Sequence, residues 1–335
     1  MAFNPQYAIT AHLMRLIEGI ASLKTKIEVS LVSVAWVPRL TKDAFSRMAH
    51  SSTSIEGNPL TLKEVQVLAD GGDILQAKPR HVHEILNYFA ALRYISANAD
   101  KKTITEKDVL RLHAIIGKNA LDREPVGAFR KYQVYVGSHI SPKPEKVPIF
   151  VQELLDWLNG KGQALPAVIT SAILHYRFEF IHPFGDGNGR AGRILATWEL
   201  YRRRFDTHHI FSVDEVFWEN RQGYYAALGN VEKNKGDLTG WLEFVAEAVE
   251  MTLERVWARV EAVKSMQKGG HEPLFLTPKQ ERLLFLLRHA PMGIREIESE
   301  LKVTKAGAHY LLKTLIENNL IKRVGGHKTG KYTMS

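Results

Sequence analysis

Residues 165–205, "LPAVITSAILHYRFEFIHPFGDGNGRAGRILATWELYRRRF", predict the centre of the fold. The first half is apolar on nearly every face of a helix, a pattern typical of a helix surrounded by other helices. The second half carries a long amphipathic pattern that predicts another helix. Between them, Gly185, Gly187 and Gly189 predict a turn. The stretch therefore predicts two central helices joined by a glycine-rich loop.

Helical periodicity dominates on both sides of this stretch. It recurs in "TITEKDVLRLHAIIG" (103–117), "VPIFVQELLDWLNG" (147–160) and "LTGWLEFVAEAVEMTLERVWARVEAVKSM" (238–266). One segment differs, because "KYQVYVGSHISPKPEKVP" (131–148) alternates apolar and polar residues and then turns. It predicts a short β-hairpin, which needs a neighbour to pack on. We expect a mainly α fold with one such hairpin.

The C-terminal region has a different pattern. "QKGGHEPLFLTP" (267–278) has the composition of a linker. Three short helix patterns follow, and "LIKRVGGHKTGKYTM" (320–334) predicts two strands around a glycine-rich turn. This order resembles a winged helix-turn-helix domain. Residues 271–335 hold eleven Lys and Arg against six Asp and Glu, a net +5, which favours DNA as a partner. Such modules also bind proteins or dimerise, so a protein partner is the alternative.

The composition limits the class of protein. A net charge of +9 over 335 residues favours a polyanionic partner such as nucleic acid or a nucleotide. The absence of cysteine excludes disulfides and thiolate metal sites and fits a reducing compartment. No run approaches the ~18 apolar residues of a membrane span, and "MAFNPQYAIT" lacks the pattern of a signal peptide. We therefore expect a cytoplasmic protein with no membrane partner.

The strongest chemical signal is "HPFGDGNGRAGR", residues 182–193. A glycine-rich turn that opens a helix directs backbone N–H groups and the positive end of the helix dipole at one small volume, which suits an anion. Arg190 and Arg193 lie three residues apart, so both can face that anion. Asp186 offers hard oxygen ligands for Mg²⁺, and His182 can accept a proton. The motif predicts a base, a metal ligand and a phosphate site.

These twelve residues match the Fic (filamentation induced by cAMP) signature, His-Pro-Phe-x-Asp/Glu-Gly-Asn-Gly-Arg-x-x-Arg. The chain resembles that family also in "VGAFR" (126–130), before the hairpin, and in "FWENRQGYYAALGN" (217–230). The resemblance covers about residues 40–250. It implies a Fic-type helical bundle that transfers AMP from ATP to a Ser, Thr or Tyr hydroxyl of a target protein, the chain itself being an alternative target.

The resemblance also implies a role for each motif residue. His182 takes the proton of the attacking hydroxyl, Phe184 packs the loop, and Asp186 holds Mg²⁺. Tyr224 and Tyr225 are candidates for the adenine pocket, with plain core packing as the alternative. The phosphates are assigned to the amides and side chains of Gly187, Asn188, Gly189, Arg190 and Arg193.

The same resemblance implies a function for the hairpin. In the family a flap over the active site pairs with an extended target segment, a strand-addition mode of binding. Residues 134–144 correspond to the flap here, and the expected target-binding residues are Val134, Val136, Gly137 and His139.

A glutamate at a helix end raises a separate question. Residues 43–57 predict a helix with Glu56 in its last turn, where the helix dipole disfavours an anion. On its own this glutamate reads as an idle surface residue. "SSTSIEGN" (51–58), however, resembles the family's inhibitory motif, Ser/Thr-x-x-x-Glu-Gly/Asn, through Ser52, Glu56 and Gly57. The resemblance implies that Glu56 pairs with Arg193 and thereby blocks the cation that would otherwise bind the γ-phosphate.

The predicted organisation has four parts: an N-terminal helical region (1–100), a Fic catalytic core (101–266), a linker (267–277) and a winged helix-turn-helix domain (278–335). Alternatives to AMP transfer are a Fic enzyme that removes AMP and a DNA-binding regulator whose Fic domain senses nucleotide. A metal hydrolase is disfavoured, because the fourteen histidines include no convincing i, i+4 pair with a nearby carboxylate. The pattern allows a homo-oligomer.

Overall fold

The computed structural model describes residues 3–31, 37–121, 125–137, 139–269, 276–318, 320–325 and 330–335. Over these ranges the backbone is mainly helical, as predicted. The helices are α1 (Ala11–Leu31), α2 (Val37–Ile55), α3 (Leu62–Ala69), α4 (Pro79–Ala97), α5 (Glu106–Gly117), α6 (Val147–Asn159), α7 (Ala167–Ile181), α8 (Asn188–Arg202), α9 (Val213–Glu219), α10 (Arg221–Lys233), α11 (Thr239–Gly269), α12 (Pro278–His289), α13 (Ile294–Leu301) and α14 (Lys305–Glu317). The strands are β1 (Tyr135–Val136), β2 (His139–Ile140), β3 (Ile321–Val324) and β4 (Lys331–Met334). None of the helices in these ranges is long and apolar enough to cross a bilayer.

The chain divides into two compact units. One comprises Met1–Ala21 and Val37–Thr252, and the other comprises Ser22–Trp36 and Leu253–Ser335. Helix α11 continues to Gly269, three residues into the segment predicted as a linker. Residues 270–275 of that segment lie outside the described residues. The four-part division of the sequence stays a prediction.

The first unit is built around α7 and α8, which pack along each other. Helix α7 is buried over most of its surface and ends at His182, whose backbone is left-handed. Helix α8 differs from its predicted amphipathic character, because both its apolar and most of its polar residues are buried. Its arginines and Glu199 lie inside the unit in ion pairs, so polarity along this helix does not mark a solvent face.

The C-terminal end of helix α2 lies near α8, so that Glu56, the residue after the helix, reaches Arg193. It begins at Val37, earlier than the predicted start near residue 43, and it ends at Ile55, before Glu56. Gly57 follows with a φ of 92°, the left-handed conformation that glycine adopts without strain. The buried Arg47 guanidinium is 2.7 Å from Asp43 and 3.0 Å from Glu215, so an ion pair joins α2 to α9. The helix is therefore fixed by buried charge as well as by apolar packing.

The predicted hairpin forms between α5 and α6. Strands β1 and β2 are antiparallel, with Tyr135 opposite Ile140 and Val136 opposite His139. The turn contains Gly137, with a φ of 60°. Two-residue strands carry too few hydrogen bonds to be stable alone. Contacts with neighbouring segments, described below, hold this hairpin in place.

The second unit contains the three helices and the hairpin predicted for the C-terminal region. Helices α12, α13 and α14 surround a core that includes Leu283, Leu312 and Leu315. Strands β3 and β4 pair antiparallel, and Tyr332 of β4 reaches the same core. The order of elements agrees with the prediction, whereas the winged-helix assignment stays a prediction.

Candidate active site

The loop between α7 and α8 is fixed from both sides. His182 has a φ of 49°, and its carbonyl oxygen accepts a hydrogen bond of 2.8 Å from Nε of the buried Arg130. The backbone N–H of Arg130 donates to the Pro183 carbonyl at 3.0 Å. A left-handed non-glycine residue costs free energy, so this segment holds a strained turn in place. The end of "VGAFR" thus supports the loop between α7 and α8.

Phe184 lies on the inner side of the loop. Its ring is fully buried and stacks on His113 of α5 at 3.6 Å between ring centroids. The Asn188 side chain closes the turn, because its Oδ1 accepts from the Phe184 N–H and its Nδ2 donates to the Phe184 carbonyl, both at 2.9 Å. Imidazole Nε2 of His113 is 3.0 Å from the carbonyl of Asp186. Packing and hydrogen bonds therefore preorganise the loop.

The N-terminus of α8 is largely enclosed, because Gly187, Asn188 and Arg190 are buried and Gly189 is partly buried. Gly187 is its N-cap residue, with a φ of 79°, and no side chain of the described residues caps the first turn. The first N–H groups of a helix have no partner within the helix, so those of Asn188, Gly189 and Arg190 suit an anion. Because the dipole adds positive potential, this end can bind phosphate.

His182 has the geometry of a general base. Its Nδ1 is 3.3 Å from the backbone carbonyl of Glu179, which favours the tautomer with the proton on Nδ1. Nε2 then carries a free lone pair. Burial lowers the pKa of His182 to about 4, against the smaller effect of the Glu179 carbonyl. The imidazole is therefore neutral at pH 7 and able to accept a proton.

Arg193 is fully enclosed and bonded to the end of α2. Its Nη2 is 2.7 Å from Glu56 Oε1 and 2.8 Å from the Ser52 carbonyl, and its Nε donates to Ser52 Oγ at 2.7 Å. Burial would raise the pKa of Glu56, but the charge and hydrogen bond of Arg193 outweigh it and hold that pKa below its usual value. The pair is therefore ionised at neutral pH.

Gly189 leaves the space that Glu56 occupies. A Cβ atom at this position would lie 2.3 Å from Glu56 Oε1 and 3.1 Å from Arg193 Nη1. A side chain there cannot coexist with the ion pair as it stands. The third glycine of the motif is thus needed for the closed arrangement as well as for the approach of an anion to the backbone.

Arg190 lies one turn before Arg193 and is bonded much less completely. Its Nη1 is 3.4 Å from Glu84 Oε1 on α4, and its Nη2 is 3.5 Å from Asp186 Oδ1. Its Nε and Nη1 are buried and have no hydrogen-bond partner among the described residues. Buried donors without partners are costly, so this guanidinium is suited to an incoming acceptor.

Asp186 presents a half-exposed carboxylate at the mouth of the site. Mg²⁺ prefers oxygen ligands and commonly uses one or two carboxylates together with substrate phosphates. Among the described residues no group of three or more His, Asp or Glu side chains could hold a metal alone. One carboxylate beside an anion-binding helix end fits a metal that arrives with phosphate.

The two tyrosines expected at the adenine differ in exposure. Tyr224 is buried, its ring stacks on Phe217 and its hydroxyl is 3.0 Å from His175 Nε2. No ring face is open to a base, so its surroundings are those of a core residue. Tyr225 is 45% exposed and lines a cavity of about 370 Å³ along α10. Of the pair, only Tyr225 can stack on a ligand without rearrangement.

The hairpin is fastened over the end of α7. His139 Nε2 is 2.9 Å from the Phe180 carbonyl, and its Nδ1 is 3.2 Å from Glu232 Oε2, a residue that lines the same cavity. The guanidinium of Arg130 donates to the carbonyls of Tyr132 and Pro142 at the base of the hairpin. His139 therefore holds the hairpin in place, and its expected contact with a target stays a prediction.

The remaining flap residues face different surroundings. Val136 and Gly137 are exposed, and Val134 is partly buried, its carbonyl accepting from Ser141 Oγ at 2.7 Å. Tyr135 and Ile140, which the sequence did not single out, are opposite each other and about two thirds exposed. The exposed side chains on strands β1 and β2 of the flap are therefore mainly apolar.

Several residues that contact the site were not predicted from the sequence. Glu84 contacts Arg190 and accepts a hydrogen bond of 2.8 Å from Asn58, which follows the inhibitory motif. His113 stacks on Phe184, and Glu179 lies beside His182. Their only sequence signal is a polar side chain on the apolar face of a helix, which is too common to identify a site.

Comparison with known proteins places residues 103–200 in a match to the Fic/DOC family. Two curated relatives, both described as protein adenylyltransferase Fic, are from Drosophila willistoni (35% identity over 225 residues, 66% of this chain and 43% of the relative) and Drosophila melanogaster (33% over 249 residues, 73% and 49%). The chain thus spans less than half the length of the curated relatives it matches.

Solved structures give the same family resemblance. A Fic family protein from Desulfovibrio desulfuricans G20 aligns with a TM-score of 0.67 at 25% identity, over 99% of this chain and 98% of that one. Fic-1 from C. elegans aligns with a TM-score of 0.64 at 25% identity, over 77% and 73%. The similarity therefore includes backbone arrangement as well as sequence.

Proposed function

Because residues 103–200 place this chain in the Fic/DOC family, we propose that it is a protein adenylyltransferase. It transfers AMP from ATP to a hydroxyl side chain of a target protein. The observation that carries the proposal is the convergence, at one uncapped helix N-terminus, of a neutral imidazole and two buried guanidinium groups. Such a set can hold a triphosphate and deprotonate a hydroxyl. A cytoplasmic location stays a prediction.

The triphosphate would bind along the start of α8. The N–H groups of the first turn and the free donors of Arg190 would bind phosphate oxygens, and Arg193 would bind the γ-phosphate. Asp186 would hold Mg²⁺, which, when bound, neutralises part of the phosphate charge. The exposed ring of Tyr225 and the adjoining cavity suit the adenine, whereas we assign Tyr224 to packing.

His182 carries the proton transfer. Its Nε2 takes the proton of the target hydroxyl while the oxygen forms a bond to the α-phosphorus. The bond from the α-phosphorus to the bridging oxygen breaks, and pyrophosphate leaves with the electron pair. The protein mainly positions these groups and stabilises charge, as is usual in phosphoryl chemistry.

The target would approach along the hairpin over the end of α7. The short strands leave backbone groups for pairing with an extended segment, and the exposed Val136 lies beside the turn at Gly137. His139 keeps the hairpin over the site. We propose a protein partner presented in this way, with self-modification as a second possibility and no membrane partner.

We further propose that α2 inhibits the enzyme. Glu56 occupies the Nη2 of Arg193 that the γ-phosphate needs, and Ser52 bonds the same guanidinium from the other side. ATP bound without this contact has its α-phosphate out of line for attack, and a displacement of about 1 Å can cost about 100-fold in rate. Inhibition thus follows from one ion pair within the chain.

The test is a labelling experiment with the Glu56→Gly variant and a mixture of protein targets. ATP labelled at the α-phosphate should transfer its label to protein, and ATP labelled at the γ-phosphate should not. His182→Ala in the same background should abolish the transfer, and a mass increase of AMP identifies the product. Label retained from the γ-phosphate alone would exclude AMP transfer.

DNA binding is a second candidate function, for the C-terminal unit. Helix α14 exposes Lys305, Tyr310 and Lys313, the last two with more than 70% of the residue or side chain accessible. Strand β3 adds exposed Lys322 and Arg323. A basic helix beside a basic hairpin suits a phosphate backbone.

Charge reversal tests this second function. Binding of a fluorescent DNA duplex should weaken with rising salt and should fall several-fold in Lys313→Glu. Lys279→Glu, which reverses an exposed charge on α12, should have a smaller effect. Equal loss in the two variants, or no salt dependence, would argue for a protein partner instead.

A further inference from the structure

Glu179 is a buried carboxyl that the mechanism above does not use. It lies on the last turn of α7, with 15% of its side chain exposed. Its Oε1 is shielded from solvent and has no hydrogen-bond partner among the described residues. A native protein rarely retains such an atom without a reason.

The proposed base lies close to this carboxyl. Glu179 Oε2 lies 3.8 Å from Nδ1 of His182, and the backbone carbonyl of the same glutamate lies 3.3 Å from that nitrogen. The backbone contact is long for a hydrogen bond. A small rotation of the carboxyl group brings a second acceptor within reach of the Nδ1 proton.

Gly192 provides the room for this carboxyl. A Cβ atom at Gly192 would lie 2.3 Å from Glu179 Oε1 and 3.2 Å from the Phe178 ring. The position falls between the two arginines of the motif, where the Fic signature specifies no residue. The small residue in this chain is therefore matched to the glutamate.

We propose that Glu179 is a positioning residue for His182. This rests on the proposed AMP transfer. The carboxyl orients the imidazole with Nε2 towards the target hydroxyl and, when ionised, stabilises the imidazolium that forms as Nε2 takes the hydroxyl proton. Nδ1 keeps its own proton and donates it to the carboxylate as a hydrogen bond, so Glu179 neither gains nor loses a proton in the step.

The charges around Glu179 determine when it is ionised. Burial raises its pKa to about 8; Arg193 of α8 opposes this effect and Glu56, after α2, adds to it. Two further titratable groups, Tyr224 of α10 and His182, also face Glu179. At pH 7 the carboxyl is mostly protonated, and it ionises as the pH rises through about 8. An ionised neighbour makes His182 a stronger base, so the transfer should quicken over that range.

A spectroscopic test needs no activity. In the protein without nucleotide, the ¹⁵N resonance of His182 Nδ1, identified by its loss in His182→Ala, should shift in one step near pH 8. The step should disappear in Glu179→Gln. It should move to lower pH in Glu56→Gly, because a carboxylate that raises the pKa of Glu179 is gone. A step that survives in Glu179→Gln would overturn the proposal.

The kinetic test uses the Glu56→Gly background. Adding Glu179→Gln should lower kcat about tenfold, leave KM for ATP unchanged and remove the rise in rate that accompanies ionisation of Glu179, which in this background lies below pH 8. Glu179→Asp should restore part of the pH response, and Glu18→Gln, an exposed glutamate on α1, should change neither quantity. An unchanged kcat and pH profile in Glu179→Gln would overturn the proposal. If Glu56→Gly transfers no AMP at all, the proposed function fails and the ¹⁵N step alone decides the role of Glu179.

A double-mutant cycle separates position from folding. Gly192→Ala should slow transfer about tenfold when Glu179 is present, because the new methyl group displaces the carboxyl. In a Glu179→Ala background the same change should cost little further activity, since no side chain remains to be displaced. Equal losses in both backgrounds would show that the place of the carboxyl is irrelevant. Thermal unfolding of each variant verifies that the fold persists.

Discussion

Two arginines one helical turn apart on α8 differ in how completely their guanidinium groups are hydrogen-bonded. Arg193 is bonded by Glu56 and Ser52 at 2.7–2.8 Å, whereas Arg190 has only contacts of 3.4–3.5 Å to Glu84 and Asp186. Both guanidinium groups are buried. Among the residues that the structure describes, one of the two neighbouring cations is therefore hydrogen-bonded through Nε and Nη2, and Nε and Nη1 of the other have no hydrogen-bond partner.

In the proposed mechanism, this difference would let one small contact control the whole site. The proposed inhibition at Arg193 would not require the base, the helix end or Arg190 to be covered, because the misplacement of one phosphate is sufficient. A nucleotide can still bind through the free donors of Arg190 and the uncapped amides. The expected inhibited state is therefore ATP-bound and unreactive, and the predictions below test whether the two arginines have these separate roles.

The largest effect is expected from Glu56→Gly. The variant removes the carboxylate but keeps Ser52 to hold the guanidinium, so Arg193 becomes available to the γ-phosphate. AMP transfer should rise by about 100-fold, which corresponds to the cost of a misaligned phosphate. Intact-mass measurement of the target and of the protein itself gives the rate.

The affinity for ATP provides the control. Titration calorimetry should show that wild type and Glu56→Gly bind ATP with dissociation constants within about tenfold of each other, since an effect confined to one phosphate contact is modest. Unchanged rates and unchanged binding would contradict the inhibitory role of Glu56. A wild-type protein that does not bind ATP at all would show that Glu56 excludes the nucleotide rather than misaligning it.

Removing Arg193 should have the opposite result to removing its partner. In the Glu56→Gly background, Arg193→Ala should reduce AMP transfer by about tenfold or more, because a charge-assisted contact of about 1.5–3 kcal/mol is lost. Alone, it should not activate the enzyme, although the ion pair is broken in it too. An active Arg193→Ala single variant would show that the release of α2, and not the freed cation, switches the enzyme on.

A smaller effect is expected from Glu84→Gln. This change removes the charge nearest to Nη1 of Arg190 but keeps an oxygen that can accept from Asn58. In the Glu56→Gly background we expect KM for ATP to change a few-fold and kcat to remain nearly constant, since the orientation of one phosphate ligand is loosened. A loss of kcat with constant KM would instead place Arg190 in the chemical step.

A contact can be predicted from the sequence more readily when the two residues that form it are close together along the chain. The helix within 103–117 and the glycine-rich turn before α8 depend on neighbours in the chain, so local pattern predicts them. The contacts of Ser52 with Arg193 join residues 141 positions apart, and only resemblance to a family with the same motif indicated them.

Other contacts had no usable signal. Glu84 and Glu179 look like ordinary helix glutamates, because burial and not residue type gives them their role. A pair of adjacent tyrosines does not reveal which ring is buried, and packing against Phe217 decides that for Tyr224. The polar residues of α8 likewise suggested a solvent-exposed face. The helix is buried nevertheless, because ion pairs stabilise the charges inside the protein.

The smallest effect is expected from pH. Burial alone would raise the pKa of Glu56, yet the Arg193 contact holds it below its ordinary value, so inhibition is present above that pKa and is lost only as the pH falls through it. With Glu179→Gln in both proteins, so that Glu179 does not titrate, the ratio of the rate with Glu56→Gly to the rate without it should therefore vary by no more than about twofold between pH 5 and 7. Parallel pH profiles measure this ratio. A wild-type enzyme that activates sharply towards pH 5 would mean that Glu56 is protonated there, and that Arg193 holds it less firmly than a contact of 2.7 Å implies.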